Sequence, residues 1–397
     1  MLFLLLLGGG LYPDALAGGV TPTAAAAATA DPDPEVGALC SLFLALGGYN
    51  ASHTSAMPGA NLCTGWSQSY GWCETCVPSG GGDPVPKCSW NGVVCDASRS
   101  PGESPVTGIA LANFEIGRAP TVRLDALTFD GPNAMHNLPA LASLDLSGND
   151  IRGTIPQELF TRTNITHIML ASNFLTGYLP TFYAEVLSAN ATQRTRNVTW
   201  MDFSNNKLGE SGSHLPSLGA QFFASSLTWG LETVVLRDMD LSSSIPDTLH
   251  YLSHLVHLDI SSNNLLGHIP NDLFANMPFL KTLLFNENEV TGRLPSSLSL
   301  ATSLEEIDGS NNLISDADTI SALRGLTNLK RFAFSYNNLA GHLTDDISPK
   351  GQGLVLPNLV VLDLTGNSIS GSLPAPTFAP NIEHLSLGSN AFGGVIV

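Results

Sequence analysis

The thirteen-residue stretch LDISSNNLLGHIP, residues 258–270, has two near-copies in the same chain. They read LDLSGNDIRGTIP at 144–156 and LDLTGNSISGSLP at 362–374. Alignment on Asn263 gives ten strong units and a weaker one centred on Phe114, with a basal period near 24 residues and occasional insertions. The aligned residues of the strong units are Asn149, Asn173, Asn206, Met239, Asn263, Asn288, Asn312, Asn337, Asn367 and Asn390. Such a period predicts one stacked array of coils from residue 106 to residue 397.

The stretch itself is explained by stacking. Leu258 and Ile260 lie two residues apart, so both point to one side of a short strand. A coil of about 24 residues is too long for a hairpin, so its strand must pair in parallel with the strand of the next coil. The Asn263 amide can both donate to and accept from backbone groups that the turn leaves unpaired. The sequence therefore predicts an α/β solenoid of about eleven coils with a parallel sheet on its concave face.

Two units have no amide at the aligned position, because Phe114 and Met239 stand there. We expect gaps in the row of stacked asparagines at both. At Met239 the candidates to replace the missing amide are Ser243, Ser244 or a water molecule.

The composition argues for an exported binding protein. The chain has 397 residues and a net charge of −18, with 34 acidic and 16 basic side chains, which disfavours nucleic acid as a partner. All six cysteines lie between Cys40 and Cys95, which favours disulfides in an exported chain but leaves their pairing open. The CETC motif at 73–76 could alternatively be half of a zinc site or a redox motif.

The N-terminal third divides into three segments. Residues 1–17 have a short apolar core and an ALA cleavage signal at 15–17, which predicts a secretory signal peptide. The alternative is a wrongly assigned start codon followed by a chance apolar stretch. Residues 18–34 are an Ala/Thr/Pro-rich leader, and residues 35–105 are a cysteine-containing cap region that begins with a short helix near Pro34. No later apolar run is long enough to span a bilayer. We expect a secreted or cell-surface protein, with membrane association only through an anchor not present in this chain.

Two motifs resemble a known family. CSWNGVVCD at 88–96 is similar to the C-x-W-x-G-V-x-C element that caps plant-type extracellular leucine-rich-repeat proteins, and VTGIAL at 106–111 follows it as their first repeat does. The repeat also resembles the plant-type subclass, and similar ectodomains occur in kinetoplastid promastigote surface antigens. The resemblance implies a leucine-rich-repeat horseshoe that binds partners through its concave face, with Cys88 and Cys95 joined by a disulfide. A terminal cap after the last repeat, which a solenoid needs, is missing from the pattern.

Candidate binding residues lie beside the inward-facing leucines. Five aspartates share one strand position, and they either form a site for a cation or basic ligand or simply suit an exposed position: Asp145, Asp202, Asp259, Asp308 and Asp363. The wider set of concave candidates includes the Trp, Tyr and Arg types that dominate binding hot spots. It consists of Trp200, Arg237, His257, Asp259, Asn286, Arg331 and Tyr336. The alternative is ordinary surface variation.

Other sites are less specific. His250, His254 and His257 have metal-like spacing, but their expected places on a coil diverge, so no metal site is predicted. Four sequons predict glycosylation at Asn50, Asn164, Asn190 and Asn197. No catalytic motif is present in the sequence, so we expect neither an enzyme nor a cofactor.

The sequence thus favours a recognition protein that binds a protein, peptide or glycan. The alternative is a glycosylated structural surface antigen, or coat protein, with no single dedicated ligand.

Overall fold

The computed structural model describes residues 34–45, 87–89, 92–99, 104–114, 116, 122–127, 129, 134–161, 164–180, 198–208, 220–225, 228–316, 322–342, 355–372 and 378–393. The predicted signal peptide, the leader up to residue 33 and most of the predicted cap region lie outside the described residues. Three α-helices occur in the described part, α1 (Pro34–Ala45), α2 (Glu158–Thr161) and α3 (Ala220–Phe223). Short 3-10 helices occupy Lys87–Ser89, Leu124–Ala126, Met135–Asn137, Asp247–Tyr251, Leu273–Asn276 and Ser296–Leu300. None of these helices is long and apolar enough to cross a membrane.

Nineteen short strands follow one another through the described residues. They are β1 (Val93–Cys95), β2 (Val106–Ala110), β3 (Ser143–Asp145), β4 (Arg152–Gly153), β5 (His167–Met169), β6 (Phe174–Leu175), β7 (Trp200–Asp202), β8 (Thr233–Val235), β9 (His257–Asp259), β10 (Leu266–His268), β11 (Thr282–Leu284), β12 (Glu289–Gly292), β13 (Glu306–Asp308), β14 (Leu313–Ile314), β15 (Arg331–Ala333), β16 (Val361–Asp363), β17 (Ser370–Gly371), β18 (His384–Ser386) and β19 (Ala391–Phe392).

One long sheet organises the molecule, in the order β1-β2-β3-β5-β7-β8-β9-β11-β13-β15-β16-β18. The strands from β2 onward pair in parallel, and only β1 is antiparallel to its neighbour. From β3 to β16 the middle residue of each three-residue strand of this sheet points into the core, as Leu144, Leu258 and Phe332 do, whereas Val94 in β1 and Leu385 in β18 are about half exposed. Shorter parallel sheets, β4-β6, β10-β12-β14 and β17-β19, form where each coil leaves the long sheet. The predicted α/β solenoid with a parallel concave sheet is confirmed.

The stacked asparagines form a ladder through the core. In a regular coil the Asn312 Oδ1 atom accepts from the Val290 N–H at 2.9 Å, and its Nδ2 atom donates to the carbonyls of Phe285 and Gly309 at 3.0 and 3.2 Å. Each of these bonds joins one coil to its neighbour or closes the turn of the same coil. Because the amides are buried, they satisfy backbone groups that water cannot reach.

In the two coils that lack the amide, backbone N–H groups donate to the asparagine of the next coil. Asn263 Oδ1 accepts from the N–H groups of both Met239 and Leu241, each at 3.1 Å. Asn149 does the same for Phe114 and Ile116, at 3.1 and 2.9 Å. In the regular coils only one of the two N–H groups uses the next amide. Asn263 of the next coil therefore takes over part of the role of the amide missing at Met239, where the sequence had pointed to Ser243, Ser244 or water. The expected gap remains at the Leu208 N–H, which has no acceptor among the described residues.

The amino-terminal end of the solenoid is covered by α1, which the sequence predicted. Ala38 and Leu39 on α1 are buried in the core. The Glu35 carboxylate forms a buried ion pair with Lys87 at 2.6 Å and also accepts from the Val106 N–H at 3.4 Å. The structure also has a disulfide between Cys88 and Cys95, with a Cα–Cα distance of 5.6 Å. These contacts join α1, the 3-10 helix Lys87–Ser89 and β2.

Candidate functional site

The concave face consists of the two outward positions of each strand. At the second position the aspartates alternate with apolar residues along the sheet, since Met169 pairs with both Asp145 and Asp202, and Val235 with both Asp202 and Asp259. Neighbouring aspartates are therefore two strands apart, about 9.6 Å, rather than one strand apart as a continuous row requires.

Each aspartate of this row closes a turn at the end of its strand. The Oδ1 atom accepts from the backbone N–H two residues later at 2.9–3.0 Å, and the donors are Ser147, Ser204, Ser261, Ser310 and Thr365. Asp259 also accepts from the Ser261 hydroxyl and is 7% exposed. These contacts favour the structural interpretation of the aspartates over a ligand site, and Asp259 is the weakest of the binding candidates.

Three candidates belong to three neighbouring coils, with Trp200 and His257 where their strands begin and Arg237 just beyond the end of the strand between them. Trp200 on β7 is 43% exposed, and its ring stacks on His167 with centroids 6.2 Å apart. His257 on β9 lies two strands away in the same register position, separated from Trp200 by Thr233. Arg237 follows β8 and is exposed, and no carboxylate within the described part of the chain forms an ion pair with it. We call Trp200, Arg237 and His257 the central patch.

Two further candidates lie well away from the central patch. Arg331 on β15 is neutralised by Glu306 at 3.3 Å and Asp308 at 3.1 Å. Tyr336 is 60% exposed and adopts a positive φ of 55°, which is uncommon for a bulky residue. Its ring lies over Gly366, where an added Cβ would stand 2.8 Å from the Tyr336 Cδ1 atom. Asn286 follows β11, next to β9, and is half-buried.

A row of charges borders the sheet where the strands begin. Glu305 lies between Lys281 at 3.3 Å and Lys330 at 2.5 Å on the flanking coils. Hydrogen bonds from Lys330 and then from Lys281 lower the pKa of the Glu305 carboxyl. Lysines that are already paired attract an anionic ligand less than a free guanidinium does, which sets Arg237 apart.

The three predicted histidines have separate partners. His250 Nδ1 contacts the Asp247 carbonyl, His254 Nδ1 lies 3.3 Å from the Trp229 carbonyl, and His257 belongs to β9. Among the described residues no group of three potential ligands could hold a metal ion.

Of the predicted glycosylation sites, Asn50, Asn190 and Asn197 lie outside the described residues. The Asn164 Nδ2 atom donates to the Pro139 carbonyl at 3.2 Å. Asn328, Asn358 and Asn381 repeat this bond in later coils, to Thr302, Thr327 and Pro357. Sequence reasoning missed this second asparagine row, although it is marked by an Asn that stands three residues before the strand and directly before a Leu or Ile.

Comparison with known proteins agrees with the geometry. The Leucine Rich Repeat family model matches residues 140–161, 254–276 and 358–378. Receptor-like protein 35 of Arabidopsis thaliana is 29% identical over 262 residues, and the Serine/threonine-protein kinase BRI1-like 1 of the same plant is 31% identical over 296 residues. These matches cover 66% and 72% of this chain but only 25% and 22% of the two relatives.

Solved structures give the same result. The ectodomain of the Arabidopsis receptor kinase HAESA, in complex with the peptide hormone ligand IDA, superposes with a TM-score of 0.54 at 27% identity, over 78% of this chain and 49% of that one. A plant ice-binding protein reaches a TM-score of 0.59 at 18% identity, over 91% of this chain and 96% of the other, which shows a common fold.

Parallel coils closed by a buried asparagine ladder define a leucine-rich-repeat solenoid. With the matched repeats and the receptor-like relatives, the chain is a leucine-rich-repeat protein of the plant extracellular type, as its cap and repeat motifs indicated.

Proposed function

We propose that this protein is an extracellular or cell-surface recognition module that binds a peptide or protein segment through its concave face. The observation that carries the proposal is the central patch, which has an exposed guanidinium without a carboxylate partner in the described part on one coil and a large exposed aromatic ring on the preceding coil. Arginine and tryptophan are the side chains that most often dominate binding energy at interfaces. The HAESA complex with a peptide hormone supports a ligand of this class.

The charges around the patch narrow the ligand chemistry. Arg237 offers five N–H donors in a planar fork that fits a carboxylate. Trp200 offers apolar surface on the preceding coil, at the other end of the strands. The ligand is thus an extended segment that carries an acidic group and, a few residues away, an apolar side chain, and parallel strands at about 4.8 Å spacing give it room to lie across several coils.

The test is selection of displayed random peptides on the secreted chain, followed by affinity measurements with Trp200→Ala and Arg237→Ala. Enriched peptides should contain Asp or Glu within a few residues of an apolar residue, and each substitution should weaken their binding at least tenfold. Arg331→Ala is the matched control, because Glu306 and Asp308 already neutralise that guanidinium.

Two outcomes contradict the proposal. Binding that is undiminished in both variants removes the central patch from the interface. Failure of any peptide to enrich favours the alternative function, a glycosylated structural surface antigen.

A further inference from the structure

The flank of the solenoid where each coil enters the long sheet is normally closed by the second asparagine row. Asn328, for example, donates to the Thr302 carbonyl of the preceding coil at 2.9 Å, and Asn358 donates to the Thr327 carbonyl at 2.9 Å. The side chain thus covers a carbonyl oxygen that the turn leaves without a backbone donor. A coil whose residue at this position cannot reach that oxygen leaves it open, whereas His254 still contacts the Trp229 carbonyl at 3.3 Å.

The row is interrupted over four consecutive coils, where the equivalent residues are Gly230, His254, Phe279 and Ser303. Phe279 cannot donate a hydrogen bond. As a result the Ser253 carbonyl, opposite Phe279, and the Pro278 carbonyl, opposite Ser303, accept no hydrogen bond from any described residue. Both oxygens remain acceptors on an accessible flank.

A cleft of about 370 Å³ opens at this interruption, lined by Glu232, His254, Val256, Phe279, Lys281 and Ser303. Its size falls within the range of small-ligand sites, about 300–1,000 Å³. The Phe279 side chain is 55% exposed. In the two preceding coils Trp229 and Tyr251 are each 42% exposed, with their rings stacked at 5.6 Å between centroids. The flank therefore combines aromatic surface with several polar groups.

The polar groups of the cleft include both acceptors and donors. Glu232 contributes a carboxylate that has no ion-pair partner in the described part of the chain, and the two open carbonyls belong to Ser253 and Pro278, which directly precede the lining residues His254 and Phe279. Lys281 contributes an ammonium group, held by Glu305 at 3.3 Å, and Ser303 contributes a hydroxyl. Lys281 disfavours a cationic ligand and Glu232 disfavours an anionic one.

We infer that this cleft binds a neutral sugar ring. A pyranose has an apolar C–H face that can lie on the exposed ring of Phe279. Its hydroxyls can donate to the Glu232 carboxylate and the open carbonyls, and they can accept from Lys281 and Ser303. The cleft lies on the flank, outside the central patch, so the sugar site stands independently of the peptide-binding proposal.

The probes are the methyl glycosides of glucose, galactose, mannose and xylose, together with cellobiose. They are titrated into the enzymatically deglycosylated full chain and followed by saturation-transfer NMR and calorimetry. We expect saturable binding of at least one probe. Glu232→Gln should weaken it at least tenfold, and Phe279→Trp should retain it.

The decisive variant is Phe279→Asn. It removes the ring and supplies the missing amide, which can donate to the Ser253 carbonyl as Asn328 does to Thr302. It should abolish sugar binding while leaving the melting temperature unchanged or higher, so loss of folding cannot explain the result. Phe174→Ala, which truncates an exposed ring in β6, is the matched control and should bind normally.

The inference is overturned if no probe binds the native chain at millimolar concentration. It is equally overturned if Phe279→Asn binds a probe as tightly as the native chain does.

Discussion

Replacing Asn263 by alanine should destabilise the solenoid more than the same replacement in a regular coil. Asn263 Oδ1 is the acceptor for two buried N–H groups, those of Met239 and Leu241. Its Nδ2 atom donates to the Leu236 carbonyl at 2.8 Å, and Met239 offers no amide to share that task. The Asn263→Ala variant therefore leaves without a hydrogen-bond partner three backbone groups that have no other partner among the described residues.

Asn312→Ala is the matched comparison. It leaves the Val290 N–H without an acceptor, but the Phe285 and Gly309 carbonyls keep the amides of Asn288 and Asn337 as donors. One buried backbone group left without a hydrogen-bond partner lowers the free energy of unfolding by about 1–3 kcal/mol. We expect a loss of about 1–3 kcal/mol for Asn312→Ala and roughly three times as much for Asn263→Ala, on the order of 3–9 kcal/mol before the backbone relaxes.

Urea denaturation of the two variants, followed by circular dichroism, measures the difference in the free energy of unfolding. Amide hydrogen exchange should show the loss of protection at Met239 and Leu241 directly. Equal losses of stability in the two variants would refute the claim that the loss grows with the number of backbone groups left without a partner.

A second background tests the same reasoning. Met239→Asn supplies the amide that this coil lacks, so the Leu236 carbonyl gains an alternative donor. The loss of stability caused by Asn263→Ala should then fall by about 1–3 kcal/mol, which is the cost of one backbone group without a partner. An unchanged penalty in that background contradicts the assignment of Leu236 as a group that depends on Asn263.

Two further predictions concern packing and the amino-terminal cap. Gly309 takes an inward position where an added Cβ would lie 2.6 Å from the Phe285 ring and 2.7 Å from the Phe334 ring. Gly309→Leu should therefore lower the free energy of unfolding by about 1–3 kcal/mol or more through overpacking. A melting temperature equal to that of the native chain would contradict this. Glu35→Gln leaves the buried Lys87 ammonium without its carboxylate and should cost about 3–5 kcal/mol, whereas replacing both residues by methionine should cost less. Calorimetric unfolding distinguishes these variants, and equal losses would show that charge is not the cause.

The architecture was predictable because it depends on local rules that every coil repeats. The leucine spacing specified strand positions that face the core, and the asparagine specified how the turn is satisfied. Asn263 shows where that reasoning stops. Its double acceptance follows from what Met239 lacks one coil earlier, and only the stacked structure shows that the two residues meet.

The candidate site was predictable in part for the same reason. Strand alternation placed Trp200 and His257 on one face, and the structure agrees. It could not show that Arg331 is neutralised while Arg237 has no such partner among the residues that the structure describes, because those pairings depend on side-chain directions across coils. The cleft beside Phe279 was missed since it arises from an interruption, where the informative residue is one that fails to donate.

The Met239 coil also has a mechanical consequence. The asparagine ladder joins neighbouring coils, but between the coils of β7 and β8 the N–H of Leu208 has no acceptor within the described residues, and among those residues only main-chain hydrogen bonds cross this step. In the described part of the chain this step therefore has fewer side-chain hydrogen bonds than the other steps of the ladder. Trp200 lies on one side of it, and Arg237 and His257 lie on the other. We expect a small bend at this step to change the spacing of the three side chains.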